Sequence, residues 1–167
     1  MPRIFLALWP PADVARALAA VGERLAGACG GRPVRADRVH LTLAFLGDVA
    51  PERIDAVREA ARGAWRGSIG LSIDREGSFR GAKVAWAAPG RTPGALAELQ
   101  ASLEEALRAR HFQLERRAFA PHVTLVRRIR RPVATTGMEP IAWEADHFRL
   151  VETRPAGGGY GELVRWP

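Results

Sequence analysis

One cysteine, one tyrosine and one lysine occur in the 167 residues, and each scarcity excludes something. With Cys29 alone, neither an intrachain disulfide nor a cysteine-rich zinc site can be built, and a reducing, cytoplasmic setting is the expectation. No apolar run approaches the roughly 18 residues that a membrane span needs, so no membrane partner is expected. The segment Ile4-Phe5-Leu6-Ala7-Leu8-Trp9 is cut short by Pro10-Pro11 and lacks the small-residue cleavage site of a secretory leader. There is no Gly-rich phosphate loop with a following Lys and Ser or Thr, and Lys83 has no such setting, which disfavours ATP use. A His-Glu-x-x-His pattern and a Gly-x-Ser-x-Gly elbow are also missing, so neither a catalytic metal nor a serine nucleophile has its usual signature. The reading therefore includes no metal and no cofactor, although His40, His122 and Asp48 are the residues that would have to converge on a metal.

Arginine is abundant. Among 25 basic residues Lys83 is the lone lysine, and the formal net charge is +7. Guanidinium forks suit phosphate, so the surplus favours an anionic partner such as nucleic acid, with a biased codon usage as the competing explanation. A chain of 18.2 kDa and 47% hydrophobic residues buries enough surface to fold without staples.

Three segments have helical spacing. Val14, Leu18, Val21 and Leu25 lie between Pro10-Pro11 and Gly30-Gly31. Ile54, Val57, Ala61 and Trp65 follow Pro51, and Leu96, Leu99, Leu103 and Leu107 follow a Thr92 cap and Pro93. Strand character marks residues 3–9, 39–46, 69–74, 83–87, 122–127, 141–151 and 160–166. Adjacent strands such as 69–74 and 83–87 are joined too tightly for helical crossovers, so the spacing predicts an α+β fold with antiparallel pairing.

One internal echo stands out. His40-Leu41-Thr42-Leu43 recurs as His122-Val123-Thr124-Leu125, about half a chain later, which suggests two similar halves that each supply the same element. Alternation in a strand puts His40 with Thr42, and His122 with Thr124, on one face while the intervening apolar residues anchor the other. A single His-x-Thr is usually ordinary surface; two copies in strand-like contexts, holding two of the four histidines, weigh against that reading. His111 and His147 lack the following Thr and read as a helix end and a strand surface. Two imidazoles supply one proton acceptor and one donor, which in-line displacement at phosphorus requires, and two hydroxyls suit the non-bridging oxygens. If the second strand continues, Arg128 and Arg130 share the face of His122 and Thr124 and are candidates for phosphate contact. Arg127 and Arg131 read equally well as a solvated basic turn. Phe5 and Phe45 are candidates to stack on a base, against a core role.

With Arg3-Ile4-Phe5-Leu6-Ala7-Leu8, His40-Leu41-Thr42-Leu43, Phe45-Leu46-Gly47, Pro121-His122-Val123-Thr124-Leu125, Gly158-Gly159-Tyr160 and Val164-Arg165-Trp166, the chain resembles the two-histidine phosphoesterases. Within them it is similar to the RNA 2',3'-cyclic phosphodiesterases once called 2'-5' RNA ligases. The resemblance implies one domain, residues 1–167, made of two pseudo-symmetric lobes with antiparallel sheets, flanking helices and a central cleft. It implies metal-independent hydrolysis of a terminal 2',3'-cyclic phosphate to a 2'-phosphate, His40 giving a proton to the leaving 3'-oxygen and His122 activating water. Thr42 and Thr124 would hold the phosphate, and Arg128 matches a basic position after the second motif. RNA 3' ends bearing cyclic phosphate, or related cyclic nucleotides, are the expected partners of a monomer. Alternatives are an RNA-end or nucleotide-binding module without turnover, and an enzyme acting on 2'-5' linkages, small cyclic nucleotides or an ADP-ribose derivative.

Overall fold

The computed structural model describes residues 1–167. Its nine strands form one antiparallel sheet in the order β7-β4-β5-β6-β3-β1-β8-β9, with the two-residue β2 beside β6. The strands are β1 Arg3–Leu8, β2 Arg32–Pro33, β3 Leu41–Asp48, β4 Ile69–Phe79, β5 Val84–Pro89, β6 Val123–Arg127, β7 Thr136–Ala145, β8 Phe148–Thr153 and β9 Tyr160–Trp166. Three α-helices flank the sheet: α1 Ala12–Cys29, α2 Ile54–Ala61 and α3 Gly94–Ala109. The α+β class with antiparallel pairing is as expected.

The two ends of the sheet are joined at one place. β3 and β6 pair only at Leu41 and Val123, then diverge, β3 continuing against β1 and β6 against β5. The helices cross over this seam: α1 leaves β1 and packs under β6, whereas α3 leaves β5 and packs under β3. Gly22 permits the first of these contacts, since a Cβ there would sit 2.9 Å from the Leu125 carbonyl oxygen. One core of 34 buried residues runs beneath both ends of the sheet, with Leu18, Leu25, Leu96, Leu103, Leu107 and Trp143 among its members.

Local chemistry accounts for the departures from sequence expectation. The second helix opens with a single 3₁₀ turn at Pro51–Arg53 and stops at Ala61, where Arg62 turns extended with ψ of 127° ahead of Gly63 at φ of 74°. Trp65 therefore lies beyond it. Thr92 makes no cap; Pro93 is the N-terminal boundary of α3. The expected strand 141–151 is two strands, broken at Asp146 and His147, where the His147 Nδ1 hydrogen-bonds to the Asp146 carboxylate at 2.6 Å. His147 sits in that turn, whereas His111 does follow a helix end, with φ of 61°.

Candidate active site

The antiparallel register at Leu41 and Val123 dictates the arrangement of the repeated motifs. Residues flanking such a pair face each other in reverse order and share one face, so His40 lies across from Thr124 and Thr42 across from His122. Four polar side chains form a two-by-two array above the seam that joins the halves of the sheet, while Leu41 and Val123 are fully buried on the opposite face.

Both histidines sit one residue ahead of their strands and are oriented in the same way. The His40 Nδ1 donates to the Arg38 carbonyl and the His122 Nδ1 to the Ala120 carbonyl, each at 2.8 Å and each two residues back along the chain. A proton fixed on Nδ1 leaves Nε2 as the atom that gives or takes a proton. The surroundings of the rings differ. His40 is stacked against Trp9 and Phe5, both at centroid separations of 5.0 Å, with Tyr160 edge-on at 5.2 Å. His122 has Phe79 as its aromatic neighbour, in a T-shaped contact at 5.0 Å. Burial lowers the His40 pKa from 6.5 to about 4; the Arg38 carbonyl opposes the shift, and the charges of Arg127 and His122 add to it. His40 is therefore neutral in the free protein at neutral pH.

A cavity of about 500 Å³ opens beside the array, its walls including Thr42, His122, Thr124, Phe45, Phe79 and Arg127. His40 stands at its edge, not in its wall. Of the residues singled out from sequence, the structure gathers His40, His122, Thr42 and Thr124, and it places Phe45, 42% exposed, on the cavity wall with the Arg3 guanidinium 5.3 Å from its ring centre. Phe5 is buried and backs His40, which leaves no free face for a base.

Arg128 and Arg130 do not line the cavity, and the reason is a matched pair of β-bulges. On β3, neighbours Leu6 and Ala7 of β1 face Ala44 and Thr42, so Leu43 is an extra residue; on β6, neighbours Ala85 and Trp86 of β5 face Val126 and Thr124, so Leu125 is extra. Each bulge turns two successive residues into the core, Leu43 with Ala44 and Leu125 with Val126. The alternation restarts one residue out of phase. Phe45 and Arg127, each five residues after its histidine, return to the cleft face. β6 ends there: Arg128 has φ of 57°, and the chain turns back to cover the C-terminus of α1, where the backbone N–H groups of Arg130 and Arg131 donate to the Cys29 carbonyl. The Arg131 guanidinium donates to the Ala28 carbonyl, and that of Arg130 lies over Gly30. These arginines complement the negative end of a helix.

Arg127, Phe79, Trp9 and Tyr160 are thus the site residues that alternation alone misses. The signal for Arg127 was present as two consecutive apolar residues after each Thr, a break in a two-residue period. No three His, Cys, Asp or Glu side chains gather in a way that would hold a metal ion, and Asp48 lies at the far end of β3.

A cleft with two histidines held at Nδ1, two facing threonines and an arginine suits acid–base chemistry on a phosphate ester, as a phosphoesterase fold requires. The sequence matches the family described as LigT like phosphoesterase over residues 8–86 and 88–160. The chain belongs to that family. It is 39% identical over 98 residues to the RNA 2',3'-cyclic phosphodiesterase of Escherichia coli K12, a stretch covering 58% of this chain and 55% of that protein. To the RNA 2',3'-cyclic phosphodiesterase of Thermus thermophilus it is 30% identical over 185 residues, covering 98% of this chain and 89% of that one. The match therefore spans about half the length of the first relative and most of the second. The crystal structure of Escherichia coli LigT complexed with 3'-AMP superposes with a TM-score of 0.87 at 29% identity, covering 99% of this chain and 98% of that one. No helix here is long and apolar enough to cross a membrane.

Proposed function

We propose that this protein hydrolyses the 2',3'-cyclic phosphate at an RNA 3' end to a 2'-phosphate, without a metal ion, acting as a single domain of two similar halves in a reducing, cytoplasmic setting. The observation that carries the reading is the array itself: two imidazoles, each with Nδ1 tied to a carbonyl two residues back, and each opposite the other motif's threonine. The His122 Nε2 takes a proton from water as the water oxygen bonds to phosphorus. The bond from phosphorus to the 3'-oxygen breaks, and the His40 Nε2 proton passes to that oxygen. One water is consumed, and both histidines exchange protonation states, to be reset through solvent. Thr42 and Thr124 donate to the non-bridging oxygens, and Arg127 adds positive charge where negative charge accumulates.

The neutrality of free His40 sets a condition on this scheme. The proton donor must be charged, so the anionic phosphate entering the cleft has to restore the proton that burial, Arg127 and His122 disfavour. The same neutrality favours a second reading, a module that binds phosphorylated RNA ends without turnover. Incubating an oligonucleotide ending in 2',3'-cyclic phosphate with the protein and EDTA separates the two. Conversion to a 2'-phosphate supports the enzyme; binding with no product supports the module. The relatives' names and the complex with 3'-AMP support a nucleotide substrate. The apolar walls of the 500 Å³ cavity suit a terminal nucleoside.

A further inference from the structure

A second cavity, of about 320 Å³, borders the aromatic rings that pack on His40. Trp9 and Tyr160, the two aromatic residues in its wall, are among those that enclose the His40 ring. The rest of the wall is mostly charged, with Arg38, Arg149 and Arg154 facing Asp37 and Glu162. Both carboxylates are already engaged. Asp37 pairs with Arg35 at 3.1 Å, and Glu162 is held by Arg149 and Arg165 at 3.1 and 3.0 Å. The Arg38 guanidinium donates to the Gly157 carbonyl, which fastens the turn over the cavity, and meets no carboxylate there. Arg154 enters the cavity from the same turn and belongs to none of the ion pairs that satisfy its neighbours. A pocket with two guanidinium groups outside any ion pair and little apolar surface suits a sugar-phosphate, whereas the larger, more apolar cavity suits a base.

We infer that this cavity takes the phosphodiester immediately upstream of the terminal nucleotide, so that the protein acts on oligonucleotides in preference to cyclic mononucleotides. The inference rests on the proposed phosphodiesterase reading. Trp9 and Tyr160 contact the His40 ring and also line the arginine-bearing cavity, so an RNA whose terminal phosphate meets the two histidines has its next phosphate near that side. Arg154 is the discriminating residue, because it touches neither imidazole and holds no part of the fold by an ion pair.

The test compares kcat/KM for a cyclic mononucleotide and for a trinucleotide with the same cyclic-phosphate end, using wild type, Arg154→Ala and Arg154→Lys. The expected result is a wild-type preference for the trinucleotide of about tenfold or more, lost in Arg154→Ala through the trinucleotide value alone and partly kept by Arg154→Lys. The salt dependence of trinucleotide turnover should become shallower by about one charge in Arg154→Ala. Equal losses on both substrates, or none on either, would overturn the inference. If wild type turns over neither substrate, the phosphodiesterase reading has failed; affinity for a trinucleotide carrying a 2'-phosphate then decides the subsite, and equal binding by wild type and Arg154→Ala rejects it.

Discussion

Replacing His40 by Gln should flatten the dependence of stability on pH between about 7 and 4. In the folded protein, burial between Trp9 and Phe5 brings the imidazole pKa from 6.5 to about 4. Between those values the unfolded chain binds a proton that the folded one refuses, so stability falls as the pH drops. The contribution is complete above the unfolded value and is lost as the pH falls toward the folded one. The fall from 6.5 to about 4 is worth about 3.5 kcal/mol in full, of which roughly 3 kcal/mol is expressed between pH 7 and pH 4. Carboxylates such as Glu104 and Glu162, whose pKa values are held down by arginine and glutamine partners, add their own loss at lower pH, but they do so equally in both proteins. The measurement is urea unfolding of wild type and His40→Gln at unit pH intervals from 7 to 4. The difference between the two stability curves should change by roughly 3 kcal/mol across the window. Parallel curves would show that His40 is not buried as a neutral imidazole, and would remove the condition that substrate must restore its proton.

Four further outcomes follow from the same contacts. Bound 2'-phosphorylated product should raise the His40 pKa, read from its imidazole NMR signals; an unchanged value would contradict the role given to the incoming anion. Arg127→Ala should lower kcat on cyclic substrates by about 10²-fold, as loss of a group aimed at developing charge does, whereas Arg128→Ala should change it little. Equal effects at the two positions would refute the bulge-shifted face. Gly22→Ala should destabilise by about 1 kcal/mol, because the clash with the Leu125 carbonyl outweighs the gain in helix propensity; Gly27→Ala, with nothing within 4 Å, should stabilise by about as much. Thermal unfolding with shifts of the same sign for both would contradict the described seat of α1. Arg24→Ala should cost about 1–3 kcal/mol in denaturant unfolding by leaving buried Glu76 without its partner, and no loss would reject that pairing.

The sequence discloses those features whose physics is periodic or repeated. Leucines at helical spacing mark the core face of α1 and α3, and the duplicated His-x-Thr marks the four residues that meet at the seam. A pairing register is not a property of one segment, however. Nothing in either motif alone says that Leu41 faces Val123, which is what sets each histidine opposite the other motif's threonine. Alternation also fails wherever a strand bulges, so Arg128 was expected on a face that Arg127 occupies, and Phe45 returned to the cleft. The break at Asp146 and His147 was hidden because strand propensity is high on both sides of the turn. The aromatic enclosure of His40 draws Trp9 from beyond β1 and Tyr160 from β9, far apart in the chain, and no local pattern joins them.

The most direct measurement follows the end group of an RNA oligonucleotide carrying a 2',3'-cyclic phosphate, in EDTA, with wild type, His40→Ala and His122→Ala. The account predicts a 2'-phosphate product from wild type and a loss of at least about 10²-fold in kcat in each variant, since each imidazole handles a proton in the same displacement. Wild-type rates in both variants, or activity abolished by EDTA and restored by a divalent metal, would contradict it.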